Sequence, residues 1–142
     1  MPKHVPQESK GFNPFGELIG LSFSKLEEGH SECHLHVEEK LLNPYGVVHG
    51  GVIYSLADTG MAGALYSLIS EDERCVTVEM KVVYFRPITS GNLECVAEVA
   101  HRSRNLGFVE AEVKSGDHDV AKASATFSIF ESGRGSLSDL AF

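Results

Sequence analysis

The sequence predicts an α+β protein in which a mostly antiparallel sheet curls around one long helix. Three observations carry this. Residues 52–69 are apolar nearly all the way round a helix, so that helix is expected to be enclosed rather than laid on a surface. Segments on either side of it alternate apolar and polar residues with the two-residue period of strands. The order along the chain is hairpin, helix, then four strands, which suits a helix packed against one face of an antiparallel sheet.

The chain has 142 residues, for which a single domain, 1–142, is expected. Its 42% hydrophobic and 23% charged content is that of a soluble globular protein. A net charge of −8 without any Lys/Arg run argues against nucleic acid or an anionic membrane as partner, while leaving room for a local basic patch. Cys33, Cys75 and Cys95 are widely spaced and show no metal-ligand spacing, so they read as small buried hydrophobes in a reducing compartment. The first residues lack the apolar core of a secretory signal, and a cytoplasmic location is expected. The 52–69 stretch holds Ser, Thr, two Gly and Asp58, which fits a core helix better than a membrane span.

Residues 1–11 and 132–142 are polar and expected to be loose tails. Asn13-Pro14-Phe15-Gly16 and Asn43-Pro44-Tyr45-Gly46 both read as turns. Residues 18–26 and 31–37 form a hairpin turning at 27–29, with Cys33, Leu35 and Val37 on one face and Glu32, His34 and His36 on the other. His34 and His36 would make half a metal site, but no third ligand stands nearby in sequence. The helix spans about 50–70. Its Gly60 and Gly63 suggest close approach of another backbone or simple packing tolerance. Strands follow at 76–85, 91–100, 108–115 and 120–130; Val109, Ala111 and Val113 share one face of the third, and Ala121, Ala123, Ala125, Phe127 and Ile129 one face of the fourth.

The chemistry centres on the helix. Between Lys40 and Glu71 the one formally charged side chain is Asp58. A carboxylate taken out of water costs several kcal/mol unless paired. A lone acid in this setting suggests a base or nucleophile whose pKa burial would raise. The helix opens with His49-Gly50-Gly51. A helix start offers unpaired N–H groups and a partial positive charge, and glycines let a ligand oxygen approach them. That is the equipment of an oxyanion hole. Gly50 and Asp58 lie about 12 Å apart along a helix axis, at ~1.5 Å per residue. One helix cannot bring both to one carbonyl, so two helices must meet antiparallel, most simply in a two-fold homodimer with two shared sites. Taken singly, His49 could be a helix-start residue bonding backbone, Asn43 a turn starter and Thr77 an ordinary strand former.

Together, Asn43-x-x-Gly46-x-x-His49-Gly50-Gly51, Asp58 after six more residues, the run Val76-Thr77-Val78-Glu79-Met80-Lys81 and Arg86-Pro87 resemble the hotdog-fold acyl-CoA thioesterases, in their phenylacetate-degradation (PaaI-like) branch. The resemblance covers roughly residues 15–130. It implies a curved antiparallel sheet wrapped around one central helix, and dimers that often pair again into tetramers. It implies an acyl-CoA substrate, no metal and no redox cofactor. Asp58 would be the catalytic carboxylate and Thr77 the hydroxyl beside it. The Gly50 N–H would hold the thioester oxygen, assisted by Asn43, and His49 would orient the thioester end. Gly51, Tyr54, Leu56 and Met61 are candidates for the substrate pocket, with Tyr45, Phe12 and Phe15 behind them. Arg86, Arg102 and Arg104, then Lys81 and Lys122, are candidates for the coenzyme A phosphates. Two alternatives stand beside this: a non-catalytic acyl-CoA binding or sensing module of the same fold, against which Asp58, Asn43 and Thr77 together weigh, and an enoyl-CoA hydratase of related fold, which would need a His soon after Asp58, where none occurs before His101.

Overall fold

The computed structural model describes residues 6–133. Its first helix, α1 (Pro14–Ile19), takes the place of the turn expected at 13–16 and of the strand expected from Leu18. The same residue types serve both. Asn13 Oδ1 accepts from Gly16 N at 3.0 Å, Pro14 occupies the first helical position, and Gly20 closes the helix at φ +77°. Strand β1 (Ser22–Glu27) follows, and the turn at Glu28-Gly29 leads into β2 (His30–His36) as expected.

The tail expected over 1–11 is docked where it is described. Ser9 is buried and donates its hydroxyl to Leu21 O at 2.5 Å, Phe23 N donates to Gln7 O at 2.8 Å, and Glu8 bridges Ser22. At the other end Ser132 N still bonds Asp72 O at 2.6 Å, and 134–142 lie outside the described residues.

The central helix α2 (Gly50–Tyr66) is preceded by a loop that folds back on it, with His49 N bonded to Leu41 O at 2.9 Å. After it come β3 (Glu73–Tyr84), β4 (Asn92–Arg102), β5 (Leu106–Ser115) and β6 (His118–Glu131). All six strands form one antiparallel sheet in the order β1-β2-β4-β5-β6-β3, and α2 touches every one of them. Ile53, Leu56, Ala57, Gly60, Met61, Ala64 and Leu65 recur at three- and four-residue spacing and form its buried face. The sheet answers with Cys33, Leu35, Cys95, Val109, Val113, Ala125 and Phe127.

Two expectations change here. Enclosure of α2 is one-sided within a single chain, because Tyr54 is exposed and Asp58, Thr59, Ala62 and Tyr66 are half-exposed. The two helix glycines meet side chains, not another backbone. A Cβ at Gly60 would lie 2.9 Å from Cys95 Sγ and 3.1 Å from Cys33 Sγ, and one at Gly63 would lie 2.6 Å from the Phe23 ring. The three cysteines are free and buried, as expected. Hydrogen bonding to Cys95, and then burial, raise the Cys33 thiol well above its usual value.

Strand β3 carries a bulge between Thr77 and Glu79. Unbroken alternation would turn Glu79 and Lys81 inward with Cys75 and Thr77. The extra residue, Val78, flips the phase, so Met80 and Val82 pack on the core while Glu79 and Lys81 stay exposed.

Candidate active site

Asp58 sits in the third turn of α2, on the side turned away from the core residues Ala57 and Met61. It is half-buried rather than sealed, and it opens on a cleft of about 600 Å³ between α2 and the N-terminal segment. Thr77, held at the end of the inward-facing run of β3 by the bulge behind it, donates its hydroxyl to Asp58 Oδ1 at 2.7 Å. One carboxylate oxygen is thus fixed by a neutral donor, and among the described residues no Lys or Arg lines the cleft.

The start of α2 is a second polar centre. His49 caps the helix, its Nδ1 accepting from Gly51 N at 2.8 Å. In the neutral imidazole the proton is then on Nε2, which is left as a donor. Tyr84, arriving at the end of β3, donates its hydroxyl to Gly50 O at 2.8 Å. That carbonyl and the Gly51 N–H belong to one peptide unit, so Tyr84 and His49 grip the same peptide from both ends. Burial, and then the neighbouring Tyr54, raise the Tyr84 phenol above its usual value, which keeps it a donor. The Gly50 N–H makes no hydrogen bond among the described residues. Gly51 spends its N–H on the cap.

Asn43 serves its own turn. Its Oδ1 accepts from Tyr45 N at 2.9 Å and Val47 N at 3.3 Å, and its carbonyl accepts from Gly46 N at 2.9 Å. The amide nitrogen makes no hydrogen bond among the described residues.

The structure therefore joins Asp58 to Thr77, and His49, Gly50 and Gly51 to one another, but leaves the two groups apart on one helix. None of His49, Gly50, Gly51 or Asn43 lines the Asp58 cleft. The pocket residues expected from sequence need correction. Met61 and Leu56 are fully buried at 0% exposure against the sheet and do not line the cleft. Tyr54 is exposed, one turn before Asp58, and does not line the cleft; Phe12 does, whereas Phe15 and Tyr45 do not. Asn13, Pro14, Phe23, Thr59, Ala62, Gly63, Tyr66 and Glu71 also line it and were not foreseen. Ala62, Gly63 and Tyr66 follow Asp58 by four, five and eight residues, a helical-face spacing that would have found them; Phe23, from a distant strand, left no such signal.

Of the expected phosphate contacts, Arg102 is paired with Glu73 at 2.7 Å and Lys122 with Glu112 at 3.4 Å. Arg104 lines a separate hollow of about 400 Å³ with Asn105 and Ser128, and Arg86 is exposed beyond β3. His34 and His36 lie near Ser22 and Asn92, and no cluster of three or more metal-ligating side chains occurs among the described residues. Nor is any helix there long and apolar enough to cross a membrane.

Comparison with known proteins agrees with this architecture. The sequence profile of the thioesterase superfamily matches residues 45–122, more than half the chain. The structure of the conserved protein PA5202 from Pseudomonas aeruginosa superposes with a TM-score of 0.83 at 38% identity, covering 88% of this chain and 100% of that one. A mutant of the phenylacetic acid degradation protein PaaI from Thermus thermophilus superposes with a TM-score of 0.76 at 29% identity, covering 82% and 98%. The acyl-coenzyme A thioesterase PaaI of Escherichia coli is 28% identical over 98 residues, 68% of each chain. An antiparallel sheet around one long helix is thus the fold of thioesterases, and the chain belongs to the thioesterase superfamily as a PaaI-like hotdog protein.

Proposed function

We propose that the protein hydrolyses an acyl-CoA thioester to the free acid and coenzyme A, in the cytoplasm, at two equal sites shared across a homodimer that can pair again into a tetramer. The observation that carries this reading is the Thr77 hydroxyl bonded to Asp58 at the edge of a cleft. In it, Asp58 acts as general base. It takes a proton from water as the water oxygen attacks the thioester carbonyl, and the C–S bond then breaks to release the coenzyme A thiolate, which is reprotonated. If Asp58 instead attacks as nucleophile, an anhydride forms and water opens it. The negative charge that develops on the carbonyl oxygen is received by the Gly50 N–H of the partner subunit, with the Asn43 amide beside it. Such donors are worth about 3–4 kcal/mol each. His49 Nε2–H orients the thioester end. Base, water and oxyanion donors suffice, so the reaction needs neither metal nor redox cofactor.

Two features support a shared site. Gly50 and Asp58 are both on α2, about 12 Å apart along its axis at ~1.5 Å per residue. The two edges of the sheet also differ: β1 is capped by Gln7 and Glu8, whereas β3 offers an open edge with exposed Val78, Val83 and Tyr84.

The test is complementation. Asp58→Asn removes the base. Gly50→Pro removes the oxyanion donor with little else, since proline suits the first helical position, His49 already has the extended backbone (φ −59°, ψ 133°) that precedes proline, and a Cβ at Gly50 meets nothing closer than 3.4 Å. Each variant alone is expected to be inactive towards acyl-CoA by free-thiol detection. Mixed dimers are expected to regain activity, because one interface keeps both groups. Full activity of Asp58→Asn, or no recovery in confirmed mixed dimers, would remove the corresponding part of the mechanism.

A further inference from the structure

We propose that Phe23, seated on Gly63, is the stop that sets acyl-group length in the cleft beside Asp58, at about the size of a hexanoyl chain or a single ring. This rests on thioester hydrolysis at Asp58.

The cleft runs along one face of α2, from Asp58 past Ala62 and Gly63 to Tyr66. The facing wall comes from the N-terminal segment, through Phe12, and from β1, through Phe23. Phe23 reaches the helix because position 63 has no side chain. A Cβ there would lie 2.6 and 2.7 Å from two Phe23 ring carbons and 3.0 Å from Leu26 Cδ2. Gly63 follows Asp58 by five residues, roughly 7 Å along the axis at ~1.5 Å per residue. With the reacting carbonyl held at Asp58, a six-carbon chain or one aromatic ring ends at Phe23, and a longer chain must displace it.

The test is a kcat/KM profile over acetyl-, hexanoyl-, benzoyl-, decanoyl- and palmitoyl-CoA. The native protein is expected to prefer hexanoyl- and benzoyl-CoA over palmitoyl-CoA by roughly 10-fold or more. Phe23→Ala is expected to raise the decanoyl-to-hexanoyl ratio roughly 10-fold. Gly63→Ala, which pushes the Phe23 ring into the cleft, is expected to move the optimum towards acetyl. An unchanged ratio in folded Phe23→Ala, or a native preference for palmitoyl-CoA, overturns the proposal. If Phe23→Ala does not fold, Phe23→Leu decides it: a rise in the same ratio supports the proposal and no change overturns it. Hydrolysis without any shift overturns the stop alone, whereas a native protein that hydrolyses none of these esters overturns the parent reading and this one together.

Discussion

At the residue scale the proposed mechanism turns on a hydroxyl and a carboxylate, Thr77 and Asp58, and their hydrogen bond gives Thr77 its role in it. It restrains the carboxylate without neutralising it, as an Arg or Lys partner would. A hydrogen bond to a charged group is worth about 1.5–3 kcal/mol. Thr77→Val keeps the shape and removes the donor, so kcat for thioester hydrolysis is expected to fall roughly 10–100-fold. The melting temperature should change little, because Thr77 is only half-buried. Thr77→Ser should restore most of the rate. Steady-state kinetics beside a thermal melt checks this, and equal losses in Val and Ser variants would mean that packing, not the hydroxyl, matters at this position. His49 shows the same economy of position: its cap on Gly51 N both starts the helix and fixes which ring nitrogen is free to donate.

Elements place these residues, and the bulge in β3 is the clearest case. It lets Thr77 face Asp58 while Glu79 and Lys81 stay in water on the same strand. The start of β3 is anchored by Glu73, which accepts from Ser70 N at 3.0 Å and from Arg102 at 2.7 Å. The Ser70 N–H first, and Arg102 after it, hold the Glu73 carboxyl below its usual range against a smaller opposing effect of burial. A lowered carboxyl pKa contributes stability that is fully present above the unfolded value and is lost as pH falls through the folded one. Glu73→Gln is therefore expected to be less stable than the native protein near neutrality, with the gap closing as acid protonates Glu73. Denaturant melts at neutral and acidic pH measure this, and a gap that does not depend on pH would deny Glu73 the role. The alternation of β5 and β6 was legible in the sequence because each keeps one phase throughout the part that packs on the helix. In β3 the phase flips at Val78, which the residue types do not announce. Helix α1 escaped notice because six residues show too little of a helical period, and Asn-Pro-x-Gly suits a turn as well as a helix start. Asp58, Thr77 and the glycines at the helix start were readable because their spacing lies within local segments. The cleft wall was not, because Phe23 meets Gly63 only through the tertiary fold.

On the scale of the whole molecule, what matters is which surfaces are left unfinished. The outer face of the sheet is charged, with Glu94, Glu98, Glu110, Glu112, Lys114 and Lys122 exposed across β4, β5 and β6. The β1 edge is covered by the N-terminal segment. What remains is the β3 edge, twelve residues long, with Val78 45%, Val83 44% and Tyr84 48% exposed. A long apolar edge is a template for another strand. A second copy meeting it by a two-fold axis would run antiparallel and continue the sheet. The same two-fold would bring the half-exposed sides of the two α2 helices together, which is what the expected enclosure of that helix requires. Charges on this edge should separate the subunits without disturbing either core. Val78→Lys with Val83→Lys is expected to sediment as a monomer with native-like circular dichroism and to lose thioester hydrolysis, although Asp58, Thr77, His49 and Gly50 are all intact. Sedimentation velocity and thiol release on the same samples measure the two together. An active monomer, from this variant or from the native chain, would mean that one protomer completes the reaction centre alone, and the distance between Gly50 and Asp58 would then need a different explanation.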